Sequence, residues 1–216
     1  MFQHALVADG EVVRQHDLQI ATDGWLGLVE LPEKPYYFKN EDFIRGDTVE
    51  IDQELLTSNN FDLLPLAPKV RLFNQRDLGA LRNDNFEFHI DLRNKFDSGN
   101  NVCHNIEVLI QCKDDIIIIP LMAPSCVGEA RLYIPGKEIS SISEDMSGFG
   151  ANLNNWTTLD VICRDRNIEM SVNGVKAISF KLLNEPTGIV GVQVRFNGPG
   201  AVRDCWFRGG GEITRL

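Results

Sequence analysis

Residues 156–174, WTTLDVICRDRNIEMSVNG, are the stretch that decides the predicted fold. They predict two β-strands joined by a tight turn. The stretch ends in Asn173-Gly174, a dipeptide that tolerates the positive φ angles needed for a second, type I′ hairpin turn. An antiparallel β-structure is therefore expected around this segment.

Further strands are predicted on both sides of this stretch. Residues 86–92 alternate strictly, so that His89 and Asp91 are expected on the outward face, opposite the apolar positions Phe86, Phe88, Ile90 and Leu92. Residues 105–113 alternate as well, and Asp114-Asp115 turns the chain into the apolar run 116–122. Strand signals recur every 8–12 residues, with turn residues between them, a pattern typical of a β-sandwich.

The domain organisation is predicted from the part of the chain in which strand and turn signals recur regularly. Residues 81–216 are predicted to form an all-β jelly-roll sandwich of two antiparallel sheets. Residues 1–80 are less regular and contain several prolines, and we expect them to form an irregular N-terminal extension or small β subdomain packed on the sandwich. Trp156, at the start of its strand, is expected in the core.

A family resemblance supports this architecture. Residues 83–208 resemble the concanavalin A-like lectin/glucanase superfamily, and within it the laminin-G-like and 3-keto-disaccharide-hydrolase-type domains. The motifs that carry the resemblance are Asn85-Phe-Glu-Phe-His-Ile-Asp91, Trp156-x-x-Leu-Asp-Val161, Ile168-x-Met-Ser-Val-Asn-Gly174, Gly188-Ile-Val-Gly-Val-Gln-Val194 and Asp204-x-Trp206. The whole chain is also similar in style to envelope proteins of Bacteroidetes-type bacteria. The resemblance implies a sandwich that binds glycan or protein ligands.

Charge and hydropathy exclude some classes of partner. The 216 residues carry a formal net charge of −10, and the basic residues are scattered, so neither nucleic acid nor an anionic membrane is an expected partner. The apolar run 116–122 is too short to span a bilayer, and no signal peptide is apparent at the N-terminus. A chain cut from an anchored protein would begin in the same way, and an extracytoplasmic location is favoured.

The five cysteines leave the compartment open. None lies in a C-x-x-C pair, so no zinc or thioredoxin-like motif is predicted. Cys112, Cys163 and Cys205 fall in predicted strands and are expected to pack as small apolar residues. Cys103 and Cys126 flank the hairpin over 105–122 and could form a disulfide in an oxidising compartment.

One segment has the composition of a catalytic site. Residues 49–54 match the E-I-D-x-E strand of laminarinase-like glycoside hydrolases, in which two carboxyl groups act as nucleophile and acid/base about 5–5.5 Å apart. On a continuous strand, the period of two would place Glu50, Asp52 and Glu54 side by side. By this analogy Glu50 is the nucleophile, Glu54 the acid/base and Asp52 lies between them. An acidic, solvent-facing strand edge explains the same residues.

Surface aromatic residues and loop oxygens are further candidates for ligand binding. Tyr36, Tyr37 and Trp206 are candidate surface aromatics that could stack on a sugar. No cofactor or metal site is predicted, although loop oxygens could hold calcium; these oxygens belong to Asp97, Asn100, Asn101, Asp114 and Asp115. Two functions therefore remain: a non-catalytic, lectin-like module that binds glycan or protein, or a glycoside hydrolase.

Overall fold

The computed structural model describes residues 24–61, 68–76, 78, 81–94 and 105–216, together with the backbone of 7–8 and 11–12. Eighteen strands lie within these residues. They are β1 Val7–Ala8, β2 Glu11–Val12, β3 Leu26–Glu30, β4 Tyr36–Tyr37, β5 Ile44–Arg45, β6 Thr48–Ile51, β7 Lys69–Gln75, β8 Phe86–Asn94, β9 Asn105–Cys112, β10 Ile116–Met122, β11 Arg131–Ile134, β12 Lys137–Ser140, β13 Thr157–Arg164, β14 Asn167–Val172, β15 Val175–Lys181, β16 Ile189–Asn197, β17 Gly200–Gly209 and β18 Glu212–Arg215.

Within the described residues, helical structure is limited to short segments. Two α-helices, α1 Asn40–Phe43 and α2 Gln53–Ser58, and two 3₁₀ segments, Pro124–Glu129 and Ser147–Phe149, connect the strands. In the described part of the chain, no helix has the length and apolar composition needed to cross a membrane.

Two eight-stranded antiparallel sheets form the body of the protein. Sheet I has the order β12-β11-β10-β9-β16-β7-β3-β4, and sheet II has the order β15-β14-β13-β8-β17-β6-β5, with β18 paired to β17. β1 and β2 form a separate two-stranded sheet. The predicted architecture, an all-β jelly-roll sandwich of two antiparallel sheets, is confirmed by this arrangement.

The core lies between the two sheets and follows the predicted alternation. In β8 the residues at even positions, Phe86 to Leu92, are fully buried, whereas His89 and Asp91 are only partly buried on the other face. Phe88 contacts Phe207 of the adjacent strand β17, with ring centroids 4.6 Å apart. Because β8 buries one face only, its opposite face is available for polar side chains.

The two hairpins formed by β13, β14 and β15 have the predicted turns. β13 and β14 pair in antiparallel register from Leu159↔Val172 to Arg164↔Asn167. Asn173 and Gly174 connect β14 to β15 with φ angles of 51° and 75°, as a type I′ turn requires.

Residues before 81 contribute strands to both sheets. β3, β4 and β7 lie within sheet I, and β5 and β6 lie within sheet II. Residues 26–75 thus supply strands to the sandwich itself. Two of these strands have only two residues, too few to show an alternating pattern, and they are therefore not predicted from the sequence.

Candidate functional site

The outer face of sheet II has a row of charged side chains along β8. Glu87, His89, Asp91 and Arg93 alternate with the buried apolar residues of this strand and point away from the core. β8 is flanked by β13 and β17, so residues from both neighbouring strands contact this row. We refer to the part of this face around β13, β8 and β17 as the polar face.

Trp156 lies on the polar face next to two arginines. The guanidinium carbons of Arg93 and Arg203 lie 4.4 Å and 4.1 Å from the centroid of its ring. The indole is only partly buried. Such contacts between a cation and an aromatic ring contribute roughly 0.5–1 kcal/mol each near solvent.

The prediction that Trp156 belongs to the core is wrong. Thr157, Leu159 and Val161 of β13 are buried, so the alternating period of the strand directs the preceding tryptophan to the opposite face. The same alternation was present in the sequence.

Carboxylates fix the positions of both arginines. Arg203 Nε donates a hydrogen bond to Asp91 Oδ2 at 3.1 Å, and Thr158 Oγ1 donates to the other carboxylate oxygen at 2.6 Å. Arg93 Nη2 lies 3.5 Å from Glu50 Oε2. Because a paired guanidinium has fewer accessible rotamers, these contacts orient the arginines beside the indole.

A second aromatic site lies toward the other end of the polar face. The rings of His89 and Trp206 stack with centroids 5.0 Å apart and an angle of 12° between their planes. His89 Nδ1 lies 2.7 Å from Asp160 Oδ1, and its Nε2 lies 3.4 Å from Asp204 Oδ2. The imidazole thus contacts a carboxylate through each nitrogen while one face packs on the indole.

A bulge in β17 brings these groups to the same face. The register of β17 against β8 shifts between Arg203 and Trp206, and Asp204 has a φ of 44°. The extra residue allows both Arg203 and Trp206 to face outward while Cys205 is buried between them. Arg215 Nη1 donates to Asp204 Oδ1 at 2.7 Å and ties β18 to the bulge.

A pocket of about 400 Å³ opens beside the bulge. Its charged lining residues are Asp47, Asp91, Arg203, Asp204 and Arg215, and Cys205 and Leu216 complete the lining. It therefore offers both hydrogen-bond donors and acceptors. A ligand with several hydroxyl groups can use both.

The three predicted catalytic carboxylates do not share one strand. β6 ends at Ile51, Asp52 is the N-cap of α2 and accepts from Leu55 N at 2.8 Å, and Glu54 lies on the helix. The prediction of a continuous strand through Glu50, Asp52 and Glu54 is wrong, because the N-cap ends it. Glu50 is buried and contacts Arg93, whereas Glu54 is exposed.

The three predicted ligand-binding aromatics are not brought together. Tyr36 and Tyr37 form β4 at the edge of sheet I, whereas Trp206 lies in sheet II. The ring of Tyr36 contacts Phe38 and Phe61 edge-on, and its hydroxyl donates to Asn59 Oδ1 at 2.7 Å. Only Trp206 of the three lies on the polar face.

The predicted calcium ligands are only partly within the described residues. Asp97, Asn100 and Asn101 lie outside them. Asp114 and Asp115 form the turn between β9 and β10, and Asp115 Oδ1 accepts from Ile116 N at 2.8 Å. Within the described ranges, no group of three or more histidine, cysteine or acidic side chains could hold a metal ion.

The cysteines fall into two groups. Cys112, Cys163 and Cys205 are free and buried, as predicted for packing residues. Burial raises the pKa of the Cys112 thiol to about 11 and that of Cys163 to about 12. Burial also raises the pKa of Cys205 well above its ordinary value. Cys126 is disulfide-bonded, and its predicted partner, Cys103, lies outside the described residues.

The chain has no match among family models or curated protein sequences. Its fold is similar to that of several solved structures. A carbohydrate-binding module from Bacillus subtilis matches with a TM-score of 0.43 and 10% identity, over 66% of this chain and 83% of the module. The Emp47p carbohydrate recognition domain matches with a TM-score of 0.45 and 13% identity, over 78% of this chain and 90% of that domain. An alginate lyase from Corynebacterium sp. matches with a TM-score of 0.43 and 10% identity, over 92% of this chain and 95% of the lyase.

Proposed function

We propose that this protein is a non-catalytic, lectin-like module that binds a glycan on the polar face of sheet II. The observation that carries the proposal is the presence of two partly buried indoles, Trp156 and Trp206, on one sheet face among fixed polar groups. An indole offers a flat apolar surface for the C–H groups of a sugar ring. The paired charges around it can hydrogen-bond sugar hydroxyls.

The spacing of the indoles suits an oligosaccharide. Trp206 pairs across strands with His89, and Trp156 contacts Arg93. His89 and Arg93 are four residues apart on β8, which corresponds to roughly 13 Å along a strand. A ligand that touches both indoles must therefore be longer than one sugar ring.

The charge of the polar face favours a neutral glycan. Each arginine beside Trp156 is paired with a carboxylate, Arg203 with Asp91 and Arg93 with Glu50. Arg164 and Arg208 both pair with Glu87 farther along β8. Because the described residues of this face leave no large excess of either sign, a polyanionic glycan gains little electrostatic attraction.

A glycan array followed by calorimetric titration tests the proposal. The wild-type protein is expected to bind one or more neutral oligosaccharides, and the Trp156→Ala and Trp206→Ala variants are expected to lose at least about tenfold in affinity. Arg131→Gln, at an exposed ion pair with Glu138 on sheet I, is the matched control and is expected to bind normally. A silent array, or tryptophan variants that bind like the control, would reject the proposal.

We further propose that the protein works in an oxidising, extracytoplasmic compartment. The support is the disulfide at Cys126, since such bonds persist mainly outside the reducing cytosol. Peptide mapping of the protein from its native source, without reduction, is expected to recover Cys126 in a disulfide-linked peptide. Recovery of Cys126 as a free thiol would contradict this location.

A further inference from the structure

The outer face of sheet I has a cluster of cations that the proposed function does not use. Arg195 of β16 and Arg71 of β7 are directly opposite each other in the antiparallel register, and Lys69 is opposite Asn197 in the same two strands. Residues opposite one another in a sheet share a face, so the three cationic side chains are neighbours. We refer to Lys69, Arg71 and Arg195 as the cationic cluster.

Two glutamates flank the cationic cluster, one on each side. Glu30 Oε2 accepts from Arg71 Nε at 2.9 Å and from Nη2 at 2.5 Å. Glu107 Oε2 accepts from Arg195 Nη1 at 3.2 Å. Within the described residues, no carboxylate pairs with both arginines or with Lys69, and Arg195 Nε is a buried donor without an acceptor. Glu30 and Glu107 therefore compensate the like charges of Arg71 and Arg195 from the two flanking strands, and no carboxylate among the described residues lies between the two arginines.

A pocket of about 300 Å³ lies at this position. Its charged lining consists of the cationic cluster, Glu30 and Glu107, and the amides of Asn105 and Asn197 add further polar groups. Among the described lining residues, three cations and two carboxylates give a formal charge of +1, although the whole chain carries −10. One added negative charge would make the pocket neutral.

We propose that this pocket binds a singly charged oxyanion group, the carboxylate of an acidic ligand or a sulfate ester. Guanidinium groups bind such groups through parallel N–H···O bonds, and two arginines side by side can hold two oxygens of one anion. The pocket lies on the outer face of the sheet opposite the polar face, so it constitutes a second binding site. It can be tested independently of glycan binding.

An NMR titration of the arginine side chains tests this site. Acetate and methyl sulfate are the probes, each compared with sodium chloride at equal ionic strength. The Nε–Hε signals of Arg71 and Arg195 are expected to shift saturably with at least one probe, while that of the exposed Arg131 stays still. A response to acetate alone assigns a carboxylate ligand, and a response to methyl sulfate alone assigns a sulfate ester.

Two substitutions at Arg195 distinguish the contribution of its planar donor group from that of its charge. Arg195→Gln is expected to weaken binding of the responding probe by about tenfold, and Arg195→Lys, which keeps the charge but not the planar donor pair, by a smaller factor. Arg131→Gln is the matched control and is expected to bind like the wild type. Shifts that do not saturate, shifts of equal size at Arg131, or unchanged binding by a folded Arg195→Gln variant would overturn the proposal.

Discussion

The guanidinium carbon of Arg203 lies 4.1 Å from the ring centroid of Trp156. The two residues are far apart in the sequence and meet because β17 and β13 lie on either side of β8. Asp91, on β8, accepts a hydrogen bond from Arg203 and thereby fixes the guanidinium at this position. An aromatic surface, a cation and an anion are thus placed together on three adjacent strands.

Substitution of Trp156 is expected to affect binding more than folding. Trp156→Ala should lower the affinity for the bound glycan by at least about tenfold, because the apolar surface under the sugar ring is lost. Trp156→Phe should retain part of the affinity. The free energy of unfolding should fall by no more than about 1–2 kcal/mol, the contribution of the two cation–π contacts, because the indole is only partly buried and lies outside the core. Titration calorimetry and thermal unfolding of the three proteins measure both effects.

Asp91→Asn is expected to disturb the polar face through Arg203. The asparagine keeps the shape of the side chain but removes its charge, so the guanidinium loses its ionic partner beside Trp156. We expect about a tenfold loss of glycan affinity and about 1–2 kcal/mol of destabilisation. Glu138→Gln, at the exposed pair with Arg131, should change the free energy of unfolding by less than about 0.5 kcal/mol. Equal effects of the two substitutions on glycan affinity would contradict the role of Asp91.

Phe88→Ala is expected to destabilise the sandwich strongly. Phe88 is fully buried between the sheets and packs on Phe207, and the truncation leaves a cavity that the surrounding strands can fill only in part. The expected loss is about 3–5 kcal/mol in the free energy of unfolding. Denaturant titration of the variant checks this value, and a loss below about 1 kcal/mol would show that the inward face of β8 has been assigned incorrectly.

The three free cysteines of the described residues, Cys112, Cys163 and Cys205, are expected to resist alkylation in the folded protein. Burial raises the pKa of Cys112 to about 11 and of Cys163 to about 12, so at pH 8 both thiols are protonated and inaccessible. Cys205 is buried as well. Mass spectrometry after treatment with iodoacetamide should find these residues unmodified in the folded protein and modified in denaturant. Rapid modification of folded protein at Cys163 would contradict the assigned burial.

The same pKa shift predicts how alkaline pH affects stability. The folded state retains the Cys163 proton above the ordinary thiol pKa of 9.0, whereas the unfolded chain releases it. The unfolded state therefore binds fewer protons at alkaline pH. The stability that comes from the raised pKa of Cys163 is complete below pH 9 and declines as the pH rises toward about 12. Cys163→Ala should lose stability less steeply than the wild type between pH 9 and pH 11, as measured by denaturant titration.

The sequence predicted the fold where the strands are long. In β8 the alternation of phenylalanine with charged residues correctly assigned the buried and exposed faces, because a strand of nine residues shows the period of two clearly. The Asn173-Gly174 turn was predicted for a similar reason, since few dipeptides tolerate two consecutive positive φ angles. Strands of two residues, such as β4 and β5, have no period and were not predicted.

The candidate site was predicted only in part. His89, Asp91 and Trp206 were assigned to the surface correctly, but the sequence did not show that Arg203, Asp204 and Asp160 lie beside them. Those contacts depend on strand order and on the bulge in β17, and neither is encoded in a local pattern. The catalytic motif was predicted as a strand because its residues alternate, whereas Asp52 begins a helix instead.

The most direct test of glycan binding on the polar face is an NMR titration that follows the three indole N–H signals. The probe is the oligosaccharide that gives the strongest response on the array. Trp156 and Trp206 are on the polar face, whereas Trp25 is buried in the core and serves as an internal control. The signals of Trp156 and Trp206 are expected to shift saturably while that of Trp25 stays fixed. Saturable binding that leaves both surface indoles unchanged would contradict the assignment of the polar face as the glycan site.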